Sequence, residues 1–237
     1  SHIAFNGSDY PTAVATADWN GVTWQEVGPF TPTARNYGGG FGGVYDGVVA
    51  GGASPNNTCV DEWNGTTWAT ATALPTGQSS GGGAGPQTAG LVIGGTPNTE
   101  VQEYNGTSWS EAADLNDARK QDLYAAGDSS GAVVHGGYSG PATNKTEEWN
   151  GSAWSEVNTY SPTYNVGGSV AAAGESSEAA LRWGVYDAAE WNGTNWSEIS
   201  RTSDDVTGAH YNQAGTGTVN AALQFGGQSP TSFLSTG

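Results

Sequence analysis

The chain is short of several residue types, and each shortage excludes a class of protein. Its 237 residues include one cysteine, Cys59, so no intrachain disulfide and no cysteine-based metal cluster can form. Lys and Arg together number six against 23 Asp and Glu, which gives a net charge of −17. We therefore expect no nucleic-acid partner, because binding phosphates requires clustered cations. No apolar run approaches the length of a membrane-spanning helix, and we predict no membrane insertion.

Catalytic groups are scarce as well. The three histidines, His2, His135 and His210, lie far apart in the sequence and lack partners at metal-ligand spacing, and no G-x-S-x-G motif is present. The sequence predicts no catalytic residue, no metal site, no cofactor and hence no enzyme. Methionine is absent even at position 1, so we expect a chain that is processed, trimmed or part of a longer protein.

Glycine and tryptophan are abundant, and they recur in a fixed phrase. The chain has 38 glycines and ten tryptophans. A phrase of the form W-N-G-x-x-W, with Tyr replacing the first Trp once, starts at positions 19, 63, 104, 149 and 191. A second phrase, an apolar run ending in Gly-Gly, follows the same period in VVAGG (48–52), LVIGG (91–95), VVHGG (133–137) and LQFGG (223–227). Recurrence at one period indicates a repeat architecture.

Each repeat contains four short strand-like segments separated by turn signals, and no helical periodicity. Four strands in a unit of this length are typical of a β-propeller blade. The sequence therefore predicts an all-β protein in which residues 1–237 form a single propeller domain. Four complete blades end near the second tryptophan of a phrase. Strands from both termini close the ring to give five blades; six blades, with one further strand at each end, are the alternative.

The Gly-Gly doublet, the Glu-Trp or Glu-Tyr pair and the following Trp together resemble the kelch repeat. The resemblance covers the whole chain, with two departures: the two aromatics are five residues apart, one fewer than usual, and the Arg that follows each blade remains only at Arg35 and Arg119. In repeat style, the chain is most similar to kelch-like repeat proteins of marine bacteriophages. This resemblance implies a virion or extracellular location.

Asn-Gly between two strand-like runs predicts a two-residue type I′ hairpin. In the phrase that starts at Trp149, this register would place Trp149 and Trp154 on one face as diagonal neighbours. We interpret the aromatics as packing between blades rather than as a ligand-binding code. The aromatics are Trp19, Trp24, Trp63, Trp68, Tyr104, Trp109, Trp149, Trp154, Trp191 and Trp196.

Acidic side chains also recur once per repeat, before and after the aromatic pair. Repetition spreads such groups around a ring, whereas acid–base catalysis needs two carboxylates close together in unlike environments. The carboxylates thus predict a solvated acidic rim. They are Asp18, Glu62, Glu103, Glu148 and Glu190, followed by Glu26, Glu111, Glu156 and Glu198.

Binding residues are expected in the loops at the end opposite the Asn-Gly turns, because those loops are longer and differ between repeats. The candidates are Tyr10, Phe30, Arg35, Tyr37, Tyr138, Tyr160 and Tyr164. We predict a non-enzymatic structural or adhesion propeller of a phage particle, whose partners are other virion proteins or a glycan or protein of the host surface. The alternative is a lectin or carbohydrate-active enzyme that uses the same loops.

Overall fold

The protein consists of antiparallel β-sheets. A computed structural model describes residues 2–5, 15–20, 22–29, 35–53, 55–97, 99–138, 140–160, 171–183, 188–199, 214–225, 228–229 and 232–233. Within these residues the regular elements are all strands, and none forms a helix that is long and apolar enough to cross a membrane. The chain divides into two compact units, Ser1–Leu115 and Asn116–Gly237. The predicted all-β class is confirmed.

The first unit contains a three-stranded sheet (β1–β2–β3) and two four-stranded sheets (β4–β5–β6–β7 and β8–β9–β10–β11), each in sequential order. Its strands are β1 (His2–Phe5), β2 (Ala15–Trp19), β3 (Trp24–Pro29), β4 (Gly39–Gly42), β5 (Gly47–Ala50), β6 (Val60–Trp63), β7 (Trp68–Thr70), β8 (Gly82–Ala84), β9 (Gly90–Ile93), β10 (Val101–Tyr104) and β11 (Trp109–Glu111).

The second unit contains two four-stranded sheets (β12–β13–β14–β15 and β16–β17–β18–β19) and two strand pairs (β20–β21 and β22–β23). Its strands are β12 (Lys120–Asp128), β13 (Gly131–Tyr138), β14 (Thr146–Trp149), β15 (Trp154–Val157), β16 (Ala171–Ser176), β17 (Ala179–Trp183), β18 (Ala188–Trp191), β19 (Trp196–Glu198), β20 (Ala214–Thr218), β21 (Ala221–Phe225), β22 (Gln228–Ser229) and β23 (Ser232–Phe233). The four complete four-stranded repeats predicted from the phrases are present as sheets.

The second strand of each complete sheet forms the core. In β5 and β9 every residue is buried, as expected for a strand covered on both faces. The apolar run before a Gly-Gly doublet supplies this strand in three of the four sheets, as β5, β9 and β13, whereas the sequence has no doublet after β17. Burial of its Val, Leu and Ile side chains stabilises the sheets, at roughly 1.5–3 kcal/mol for each fully buried side chain.

The first strands are rich in glycine because neighbouring sheets approach closely there. A methyl group on Gly83 of β8 would overlap the carbonyl oxygen of Gly40 in β4, and one on Gly90 of β9 would overlap the ring of Phe41. Neither glycine has a positive φ. Lack of a side chain, and not backbone freedom, is what these two positions require.

The Asn-Gly turns differ from the predicted two-residue hairpins. Trp149 is paired directly with Trp154, so residues 150–153 form a four-residue connection. Asn150 Oδ1 accepts hydrogen bonds from the backbone N–H of Ser152 and of Ala153, both 3.0 Å away. Gly151 has φ +88°, but Asn150 has no positive φ, which a type I′ turn would require. The prediction of a type I′ turn was therefore wrong: the turn has four residues, and the asparagine side chain accepts backbone hydrogen bonds within it.

Candidate functional site

The first tryptophan of a phrase fixes a turn of its own sheet. In three sheets its indole Nε1 donates a hydrogen bond to a carbonyl in the turn between the first and second strands. These bonds are Trp63 to Val44 (2.9 Å), Trp149 to Ser129 (2.9 Å) and Trp191 to Ser177 (2.7 Å). The three side chains are buried, so they offer no stacking surface to a ligand.

In three phrases the second tryptophan connects its sheet to the preceding part of the same unit, whereas the indole Nε1 of Trp154 is buried without a hydrogen-bond partner among the described residues. In those three phrases the indole Nε1 donates a hydrogen bond across the gap between the sheets. The bonds are Trp68 to Thr16 Oγ1 (2.8 Å), Trp109 to the Thr72 carbonyl (3.0 Å) and Trp196 to Thr146 Oγ1 (2.9 Å). In each phrase the two rings also contact each other; the stacked pair Tyr104–Trp109 has centroids 4.6 Å apart. The repeated phrase is therefore a structural connection within and between sheets.

A buried polar pair links the segment before the first strand to the third strand. Arg119 Nη2 lies 2.6 Å from Glu147 Oε1, and both side chains are fully buried. The carboxylate also accepts hydrogen bonds from the backbone N–H groups of Asn116 and Asp117. At the equivalent place in the sheet β8–β11, Gln102 donates a hydrogen bond to Gln78. The repeat thus accepts a neutral pair where another sheet has an ion pair.

Arg35, expected on the binding loops, belongs to this set of buried pairs. Its Nη2 lies 2.6 Å from Asp61 Oδ2, and its side chain is 1% exposed. Burial is also the main reason why the pKa of this guanidinium is lowered from its ordinary value. The expectation that Arg35 faces a ligand is corrected: its guanidinium forms an ion pair inside the sheet.

Tyr160 is likewise buried, although it was expected to be exposed on a loop. The guanidinium carbon of Arg182 lies 5.0 Å from the centre of its ring, a cation–π distance. The Tyr160 ring also lies beside His135, with centroids 6.2 Å apart. Tyr160 packs its own segment onto the sheets and does not present its ring to solvent.

Tyr37 and Tyr138 are the candidates that the structure exposes, at 58% and 42%. Tyr37 precedes β4 and Tyr138 ends β13, so each lies at the end of its own sheet opposite the Asn-Gly turn. Tyr37 has φ +62°, and the equivalent residues Ser80 and Gln121 also have positive φ. The conformation of Tyr37 is thus a property of the repeat, while the exposed aromatic ring is specific to this position. Tyr10, Phe30 and Tyr164 lie outside the described residues.

Sequence reasoning missed Tyr45, which is 71% exposed. It lies in the turn between β4 and β5, against Gly65 of an Asn-Gly turn. This is the end of the sheet where the turns were expected to be short and uniform. An aromatic residue in a turn whose counterparts contain Thr88 and Ser130 was the signal that could have found it.

Two of the repeated carboxylates interact with residues outside their own strand. Glu62 accepts a hydrogen bond from the Tyr104 hydroxyl of the neighbouring sheet. Burial, and then the charge of Glu178, raises the pKa of Glu148. Among the described residues, no three His, Cys, Asp or Glu side chains are grouped so that they could hold a metal ion.

Comparison with known proteins adds no family. No protein-family model and no curated protein matches the chain.

Proposed function

We propose that the sheets are blades of one kelch-like β-propeller, with five blades, that acts as a non-enzymatic adhesion domain of a phage particle. The ends of the sheets opposite the Asn-Gly turns carry the binding surface. Its partner is a glycan or protein of the host surface, or another virion protein.

The exposed aromatic rings of Tyr37 and Tyr138 are the observation that carries this proposal. The buried tryptophans of the phrase and the charges of Arg35 and Arg119 are used in internal contacts, which leaves these two tyrosines as the exposed residues among the described candidates. Exposed aromatics beside polar loop residues suit the stacking and hydrogen bonding that recognise sugars and peptides. Around Tyr37 lie Asn36 and Ser80; the backbone N–H of Ser80 donates a hydrogen bond to the Tyr37 carbonyl (2.8 Å).

The net charge supports a surface location on a particle. An excess of 17 negative charges keeps copies apart and soluble, and it disfavours nonspecific binding to nucleic acid.

A glycan array tests the binding surface. The wild-type chain is expected to bind a subset of glycans, and the double variant Tyr37→Ser, Tyr138→Ser is expected to lose that binding. Tyr45→Ser removes an equally large exposed ring from the other end of a sheet and serves as the matched control, which should bind as wild type. If wild type binds no glycan at all, glycan adhesion is wrong.

Two further measurements test the rest of the proposal. Mass spectrometry of the array glycans after incubation should find them intact, whereas released sugar would favour the carbohydrate-active alternative. The genes beside the coding sequence are expected to encode capsid or tail proteins, and a neighbourhood without them would contradict the virion assignment.

A further inference from the structure

His135 is a polar residue at a place where the first unit buries apolar ones. In the pairing of the second and third strands, His135 lies opposite Thr146. The equivalent pairs are Ala50 opposite Val60 and Ile93 opposite Val101. His135 and Thr146 are as deeply buried as those apolar residues, at 1% and 0% exposure.

The imidazole lies between two sheets, surrounded by aromatic rings. Tyr124 of β12 and Trp196 of β19 have ring centroids 5.7 Å and 5.1 Å from it, and Tyr160 lies 6.2 Å away. Because Trp196 belongs to the sheet β16–β19, His135 forms part of the contact between that sheet and its own. We call this contact, defined by His135, Thr146, Tyr124, Tyr160 and Trp196, the histidine seam.

The hydrogen bonds of the seam suit a neutral imidazole. His135 Nδ1 lies 2.9 Å from Thr146 Oγ1, which also accepts the indole N–H of Trp196. An imidazolium would need an acceptor at each nitrogen. Thr146 could serve Nδ1, but Nε2 is buried and has no hydrogen-bond partner in the described part of the chain.

The charges around the imidazole also oppose a proton. In the described part of the chain, the charged groups that act on it are Arg182 of β17 and Arg119, which precedes β12. Glu147 of β14 is paired with Arg119. The other titratable residues beside it there are Tyr124 and Tyr160, whose rings contact the imidazole. Burial first, and then the two arginines, holds the pKa of His135 well below its usual range.

We propose that the histidine seam is an acid-sensitive joint: uptake of a proton by His135 is coupled to separation of the sheets β12–β15 and β16–β19 along this contact. The closed seam excludes the proton, whereas the opened seam exposes the imidazole to water. In water the imidazole has its ordinary affinity for a proton. The open form therefore gains population as the pH falls below about 6.5, by at most tenfold per pH unit for one proton. Above that pH the seam stays closed.

Hydrogen–deuterium exchange of the full chain, read by mass spectrometry between about pH 7 and about pH 5, tests the proposal. After correction for the intrinsic pH dependence of exchange, the open population reported by peptides covering β14 and β19 should be up to about 25-fold larger at the lower pH. Peptides covering β6 and β10, whose sheets carry Ala50 and Ile93 in place of the histidine, are the internal control and should not change.

The double variant His135→Ile, Thr146→Val copies the pair that the chain already has at Ile93 and Val101, and it should abolish the pH dependence at β14 and β19. Equal pH dependence in wild type and variant would overturn the proposal. His135→Gln, a neutral side chain that can still bond to Thr146, replaces the double variant if that one does not fold.

Imidazole NMR of the wild-type chain gives a readout that needs no folded variant. The His135 signal, assigned by its loss in His135→Gln or by its connectivity, should stay that of a neutral ring in the closed protein down to about pH 5. A folded-state titration near the ordinary value of about 6.5 would also overturn the proposal.

Discussion

The indole Nε1 of Trp68 donates a hydrogen bond to Thr16 Oγ1, 2.8 Å away and 52 residues earlier in the chain. Trp196 makes the same bond to Thr146 across a separation of 50 residues. In both cases the donor lies on the fourth strand of one sheet and the acceptor on a strand of the preceding sheet. At these two positions the second tryptophan of the phrase is therefore a connection between neighbouring sheets.

The close approach of the glycine-rich strands predicts that one added methyl group destabilises the protein strongly. Gly83→Ala should lower the free energy of unfolding by about 2–3 kcal/mol, because the new methyl group overlaps the Gly40 carbonyl and both backbones must move. Chemical denaturation followed by circular dichroism measures the change.

Gly140→Ala is the control for that prediction. A methyl group at Gly140 would have nothing within 4 Å, although its φ of +138° disfavours alanine. Its effect should be confined to backbone strain of about 1 kcal/mol. If Gly83→Ala lowers the free energy of unfolding by no more than Gly140→Ala does, the sheets do not touch at Gly83.

The buried pair Arg119–Glu147 predicts non-additive substitutions. Arg119→Gln or Glu147→Gln alone should destabilise the protein by about 3–5 kcal/mol, because each leaves an unpaired buried charge. The double variant carries the same pair of residues as Gln78 and Gln102 and should be more stable than either single variant. Urea midpoints of the four proteins provide the measurement; additive losses would contradict the assignment.

Repulsion between Glu148 and Glu178 predicts that removing one of the two charges stabilises the protein, by an amount that depends on pH. The pKa of Glu148 is raised in the folded protein, so the folded protein holds a proton more readily than the unfolded chain and its stability falls as the pH rises through the acidic range. Glu178→Gln should stabilise the protein at neutral pH, by less than about 1 kcal/mol because Glu178 is exposed and solvent screens its charge.

The gain should disappear at acidic pH, where Glu148 is protonated and carries no charge to repel Glu178. Glu198→Gln, which removes one exposed negative charge from β19, is the control for net charge. Thermal melts at neutral and acidic pH decide the outcome: an equal gain from Glu198→Gln would assign the effect to net charge alone.

Periodic patterns made the sheets predictable. Two phrases at one spacing located the four complete sheets, and the apolar runs before Gly-Gly identified the buried second strands of three of them, β5, β9 and β13. The strands expected at both ends of the chain are also present, three before the first complete sheet (β1–β3) and two pairs after the last (β20–β21 and β22–β23). The prediction of a single domain and of five blades stays a prediction.

Side-chain partners were harder to predict, since they depend on contacts distant in sequence. Nothing in the local sequence of Arg35 reveals that Asp61 lies beside it. The sequence therefore predicts a binding residue on a loop, where the structure has a buried ion pair. The turn prediction at Asn150 rests on the backbone preference of asparagine alone, whereas its side-chain oxygen determines the turn. Tyr45 was overlooked because its turn was judged by length alone.

A double-mutant cycle between Trp68→Phe and Thr16→Val tests the central claim most directly, since each substitution removes one partner of the bond, while Phe keeps an aromatic ring and Val keeps the shape of Thr. If the tryptophan is a connection between sheets, the two losses should be coupled by about 0.5–1.5 kcal/mol in the free energy of unfolding. Losses that add within about 0.3 kcal/mol would contradict the account.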